Sequence, residues 1–356
     1  MDRSPKAGPF VLGQRPALDG LRGVAILGVL AVHAPCCLFL GGFYGVDLFF
    51  LLSGFLITTL LLEEHRRDGQ IRLARFYLRR ALRLLPALLA VLLVCGLCMC
   101  VWDEPRMSRA YWRDLPSIVF YYYNYHYIQQ VGRGVLLCPC FLPFWSLAVE
   151  EQFYLVWPAA LAGLLALKVR RRWIAAVALL AAAVPALLRA IVAQGSTEVI
   201  DLPTHFATHT RADALAIGCL VSLLVVWWGE AQSRAGRLAL RGAAWAAAAF
   251  LLVLFLYPAG PILYLPLPGL RYVFTLAALA GGLLVGALVW SPPRLLTAAL
   301  EFRPLRWVGQ ISYGAYLWNA PVHYLMLRLI GDSRPHPNHS DHRGFPGRRG
   351  AVALPR

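Results

Sequence analysis

Charge is scarce in this sequence, and negative charge is scarcest. Charged residues fill 15% of the 356 positions, with 18 Asp and Glu against 34 Lys and Arg. A soluble domain carries about 25% charged and about 45–50% apolar residues. Here 59% are hydrophobic and mean hydropathy is +0.59, so the excess apolar surface needs lipid to cover it. The sequence has no P-loop, no dinucleotide-binding glycine fingerprint and no HExxH zinc motif. It also has no GxSxG nucleophile elbow; Ser53-Gly54 stands in GVDLFFLLSGFLI, whose neighbours do not make an esterase turn. No internal repeat is evident, which counts against a transporter built from matching halves.

The eight cysteines form neither a zinc nor a disulfide framework. Cys95, Cys98 and Cys100 fall inside an apolar run and read as small hydrophobes. Cys36–Cys37 and Cys138/Cys140 fall in loops placed outside, where a disulfide between the two loops stays open. No metal site is expected: His336, His339 and His342 recur in a flexible tail that offers no fixed geometry.

Apolar runs recur along the whole chain, each long enough to span a bilayer at about 20 residues per crossing. Nine spans are expected, near 18–38, 42–62, 84–102, 141–168, 173–194, 206–228, 240–257, 270–290 and 305–330. The fold class is therefore an all-α polytopic transmembrane bundle with no separate soluble domain. It divides into a cytoplasmic segment 1–15, a membrane domain 16–330 and a disordered polar tail 331–356. No convincing cleavage site follows the first run, which reads as a retained helix. The net charge of +16 lies mostly in short loops on one side, the positive-inside pattern, and not on a face for nucleic acid. This predicts a cell-membrane protein with its N-terminus in the cytoplasm.

Ionisable residues inside the runs carry the functional signal, because each costs about 2.5–3.5 kcal/mol at the bilayer centre on insertion scales. Arg22 and His33 in the first span fall within about 20° of one helix face and about 16 Å apart along it, with Asp19 one turn below Arg22. Asp47, expected at a depth similar to His33, reads either as a helix-start residue or as a partner orienting the histidine. Glu150 and Glu151 lie about 100° apart on their helix and so should not face one partner; one of them is expected to pair with Arg211. In the cytoplasmic loop RFYLRRALRLLP, Arg79, Arg80 and Arg83 should present donors along one edge, as topological anchors or as contacts to a phosphate-bearing cofactor. The longest outer loop, about 103–140, holds the cluster Phe120–Tyr127 with Asn124; it reads as an interfacial belt or as an acceptor-binding surface.

These segments together resemble the acyltransferase family 3 of membrane O-acyltransferases. The matching stretches are ALDGLRGVAILGVLAVHA, GGFYGVDLFFLLSGFLIT, RFYLRRALRLLP, FWSLAVEEQFYLVWP, RADALAIGCL and ISYGAYLWNAPV, spread over about 15–325. The resemblance implies an acyl-coenzyme A co-substrate with no tightly bound cofactor. It implies a glycan, lipid-linked sugar or glycosylated small molecule as acceptor. Its Arg–His pair matches Arg22 and His33, which implies catalytic roles for both, and its basic motif matches Arg80 and Arg83. Beside the resemblance, Asp47 or Glu150 is expected to fix the imidazole, and Arg79 to join Arg80 and Arg83 in contacting the donor. Glu151, Asn124, Arg211, Asp213, Tyr316 and Asn319 are the expected substrate-side residues; the family often has His at the position of Asn319, and usually a tenth span after it. A glycan transporter or flippase, or an inactive member of the family, stands as the alternative.

Overall fold

The computed structural model describes residues 12–33, 40–101, 105–192, 202–228, 233–256 and 270–329. Among them every regular element is a helix. In chain order these are α1 (Pro16–His33), α2 (Gly45–Asp68), α3 (Leu73–Val101), α4 (Pro105–Val119), α5 (Tyr123–Gly132), α6 (Phe144–Ala166) and α7 (Arg171–Val192). Then follow α8 (Leu202–Phe206), α9 (Thr208–Arg211), α10 (Asp213–Trp228), α11 (Arg234–Leu256), α12 (Leu270–Trp290), α13 (Arg294–Leu300), α14 (Arg303–Gln310) and α15 (Ser312–Leu329). The expected tail, Cys36–Cys37 and the tail histidines lie outside the described residues.

Among the described residues, six helices are long and apolar enough to cross a membrane: those at Pro16–His33, Gly41–Asp68, Leu73–Val101, Arg171–Val192, Arg234–Leu256 and Tyr272–Trp290. Three expected spans look different. The fourth is α6, which carries Glu150 and Glu151. The sixth is broken into α8, α9 and a 16-residue α10. The ninth is interrupted at Ile311, between α14 and α15. Such breaks survive in an apolar bundle only where protein groups satisfy the freed backbone; here Arg189 Nη1 donates to the Thr210 carbonyl at 2.5 Å.

Two segments read as loops are helical. Gly69, in the left-handed conformation (φ 72°), closes α2 by donating its N–H to the His65 carbonyl at 2.8 Å. A new helix starts at Leu73, so Arg79, Arg80 and Arg83 lie on α3 and not in a loop. The 103–140 segment holds the α4–α5 hairpin. Its α4 buries Ala110, Tyr111, Asp114, Ser117 and Ile118, a helical spacing. Tyr111 donates its hydroxyl to the Leu92 carbonyl of α3 at 2.7 Å. Buried Asp114 ties the hairpin together, meeting His126 Nε2 and Arg113 at 2.8 Å and the Cys138 N–H at 2.9 Å. Cys138 and Cys140 are buried free thiols beside Cys95.

The centre of the bundle is α2. A methyl added at Gly54 would overlap the Leu215 carbonyl of α10, and one at Gly218 would overlap the Leu51 carbonyl. Small residues here let two backbones touch, which is how membrane helices gain contact without a hydrophobic drive between them.

Candidate active site

Arg22 is held by a break in the fold. Glycines at 20 and 23 press α1 against the chain at Leu300 and Leu305. The interruption at Ile311 then starts α15 at Ser312, whose hydroxyl accepts from Arg22 Nη2 at 3.2 Å. The guanidinium faces the Phe49 ring, 6.0 Å from its centroid. Its Nε is buried and has no hydrogen-bond partner. Glu150, Tyr154 and Arg83 lie within electrostatic reach.

The two α6 carboxylates meet one arginine after all. Arg80 donates to Glu151 at 2.6 Å through Nη2 and at 3.1 Å through Nε, and lies 3.9 Å from Glu150. Its guanidinium carbon sits 3.3 Å above the Tyr154 ring. A long side chain entering between two positions about 100° apart can touch both, which helix geometry alone did not reveal. Glu150 takes its hydrogen bonds from the Ser53 and Tyr154 hydroxyls. The three arginines of α3 therefore diverge. Arg80 turns inward, Arg79 approaches Glu64 at 3.4 Å with its side chain 56% exposed, and Arg83 is exposed.

Arg211 meets Asp47 and not Glu150 or Glu151. Its Nη2 forms an ion pair with Asp47 Oδ1 at 2.9 Å. The guanidinium stacks 3.8 Å over Phe274, and its Nε and Nη1 have no hydrogen-bond partner. Asp47 is thus engaged away from His33. Gly45 packs on Ala25 and Val29, which sets the start of α2 below His33 and not level with it. The His33 ring is fixed by its own helix: Nδ1 lies 2.7 Å from the Val29 carbonyl. A carbonyl only accepts, so Nδ1 carries the proton and Nε2 of the neutral ring is the acceptor. A backbone oxygen thereby does the orienting that was expected of a carboxylate.

Asp213 pairs with Arg189 at 2.6 Å through Oδ2 and accepts from Thr275 at 2.7 Å, fully buried. Arg189 was missed in the sequence, although it breaks the apolar run of α7 just as Arg22 breaks that of α1. Asn124 is also buried. It donates to Thr208 Oγ1 at 3.0 Å and to the Phe206 carbonyl at 3.2 Å, and accepts from Gln152 at 3.0 Å. Tyr316 hydrogen-bonds Ser146 and donates to the Pro143 carbonyl at 3.0 Å. Asn319 is half-buried, with an amide nitrogen that has no partner. Among the described residues no group of three metal-ligating side chains gathers.

The profile of the family described as acyltransferase domain matches residues 15–341, nearly the whole chain. The chain belongs to this acyltransferase family. Among its curated relatives, the peptidoglycan O-acetyltransferase OatA of Listeria monocytogenes is 31% identical over 341 residues, covering 90% of this chain and 51% of that protein. The putative peptidoglycan O-acetyltransferase YrhL of Bacillus subtilis is 33% identical over 323 residues, covering 86% and 48%. The O-acetyltransferase OatA of Staphylococcus aureus is 30% identical over 318 residues, covering 86% and 50%. The chain spans about half the length of these relatives. No solved structure matches it.

Proposed function

We propose that this chain is a multi-pass O-acyltransferase of the cell membrane that moves an acetyl group from acetyl-coenzyme A to a hydroxyl of a glycan. The observation that carries the reading is the stripe of α1. It sets a guanidinium among Glu150, Tyr154 and Ser312 and an imidazole about 16 Å further along, in a chain with little other use for charge. The activities of the relatives support a peptidoglycan acceptor, or another polysaccharide or lipid-linked sugar. The basic segments support a cytoplasmic N-terminus, the side from which the donor arrives.

Each role follows from what the side chain already holds. Arg79 and Arg83 have exposed donors and meet the donor's phosphates. Arg80 is committed to Glu151 and holds the wall of the site. Arg22 guides the pantetheine arm with its unmated Nε. His33, with Nδ1 tied to Val29, presents Nε2 as the base for the acceptor hydroxyl. Such a base contributes on the order of 10²–10⁴ in rate. Arg211 and Asn319 keep donors for acceptor oxygens, while Asp213 spends its carboxylate oxygens and Asn124 its amide donors on the fold.

His33→Ala tests the reading. In membranes given acetyl-coenzyme A and a glycan acceptor, transfer should fall by roughly 10² or more while insertion and yield stay at wild-type levels. Near-normal turnover of the variant would remove His33 as the base.

A further inference from the structure

Ser53 is a serine that does not behave like one inside a helix. Such a hydroxyl ordinarily bonds back to the carbonyl four residues earlier, as Thr59 does to Phe55 at 2.8 Å on the same helix. Ser53 instead donates across the helix pair to Glu150. Glu150 is itself held by a second donor, the hydroxyl of fully buried Tyr154. A hydroxyl bonded to a base that a third group orients is the arrangement that activates nucleophiles. Ser53 is half-buried and not sealed in the core. Arg22, within electrostatic reach of Glu150, supplies a buried Nε with no partner, a donor suited to an oxyanion.

We infer that Ser53 is an acyl-accepting nucleophile, with Glu150 as its base, Tyr154 as the positioning residue and Arg22 stabilising the oxyanion. The inference rests on the acyltransferase reading above. In the first half-reaction Ser53 Oγ attacks the thioester carbonyl, the carbon–sulfur bond breaks and an oxygen ester forms on Oγ. The Oγ proton passes to Glu150 and then to the departing coenzyme A sulfur. In the second half the acceptor hydroxyl attacks the ester carbonyl and the acyl carbon–Oγ bond breaks. The proton lost by the acceptor ends on Oγ, so the chain is unchanged over the cycle.

The test uses the full chain in lipid vesicles, given radiolabelled acetyl-coenzyme A, with and without a glycan acceptor. Without acceptor, rapid quenching and peptide mass analysis should find acetyl on Ser53, as an ester that resists neutral hydroxylamine. Ser53→Ala should lose the label and about 10³-fold or more in transfer. Ser53→Cys should carry the label as a thioester that neutral hydroxylamine removes, a change in chemistry that no structural role of the side chain produces. Label on His33 in the wild type overturns the inference and favours an acyl-histidine. Transfer to acceptor with no protein-bound label, and with Ser53→Ala within a few-fold of wild type, overturns it while leaving the acyltransferase reading standing. No thiol release and no label from the wild type, with acceptor present, overturns both.

Discussion

Two clusters of buried charge sit in the same apolar bundle, and they are built differently. Around Arg189 the accounts close. Its Nη1 meets Thr210 and Asp213, and its Nη2 meets Asp213 and Thr275, with all three partners inside the protein. Around Arg22 they stay open. Its Nε has no partner, and Glu150, its nearby carboxylate, is served by hydroxyls and not by that guanidinium. A buried charge without full pairing is costly. Where one persists beside a half-buried serine, its spare bonding capacity is available to a ligand. Where pairing is complete, the charge is part of the frame, even though a sequence scan scores the two alike.

Removing one member of each cluster separates them most sharply. Arg189→Ala strands Asp213 in the core and should cost about 3–5 kcal/mol, the usual effect of breaking a buried pair from one side. Thermal unfolding in detergent would show it, and little protein should reach the membrane. Arg22→Ala should leave the unfolding midpoint near wild type and reduce acetyl transfer by roughly 10². If Arg22→Ala unfolds the chain while Arg189→Ala leaves it stable and inactive, the contrast between frame and site is inverted.

Arg80 is the intermediate case and sharpens the boundary. It is mated to Glu151, stacked on Tyr154 and 3.9 Å from Glu150. Lysine keeps the charge but not the fork or the flat face. Arg80→Lys should cost about 1–2 kcal/mol through the weakened pair with Glu151. Turnover should fall only a few-fold, because the Ser53–Glu150–Tyr154 set remains. A loss as deep as that of His33→Ala would move Arg80 from the wall into the chemistry.

How much of this was legible in the sequence depends on which rule each residue obeys. The helical class and the long spans follow from apolar length, a property local to each segment, and α1, α2, α7, α11 and α12 lie close to their expected bounds. The Arg22–His33 stripe follows from helix periodicity and was legible too. Partner choice was not. Arg211 takes Asp47, and Glu151 takes Arg80, because α9 is a short piece in a broken span and α6 meets α3 there. Neither the break nor the meeting is written in hydropathy. The α4–α5 hairpin was hidden by its polarity, although Ala110, Tyr111, Asp114, Ser117 and Ile118 already show a helical period. Ser53 was set aside because esterase turns were the template, whereas its base comes from another helix.

The smallest effect should come from a position that touches neither cluster. Lys168, at the end of α6, is held in the left-handed region with φ 54°. The turn there closes the helix by two bonds, Lys168 N–H to the Leu165 carbonyl at 3.0 Å and Val169 N–H to the Leu164 carbonyl at 3.0 Å. That is the helix-ending pattern that favours glycine, since a side chain in this conformation crowds its own backbone. Lys168 is exposed and makes no ion pair among those of the described residues. Lys168→Gly should therefore stabilise the chain by about 0.5–1 kcal/mol, the relief of the left-handed residue less the entropy glycine loses on folding. Acetyl transfer should stay at wild-type level. The variant supplies the scale for the others, a change in stability with no change in chemistry. A fall in transfer here would mean that activity follows the general firmness of the bundle, and the distinction between a closed and an open charge cluster would lose its meaning.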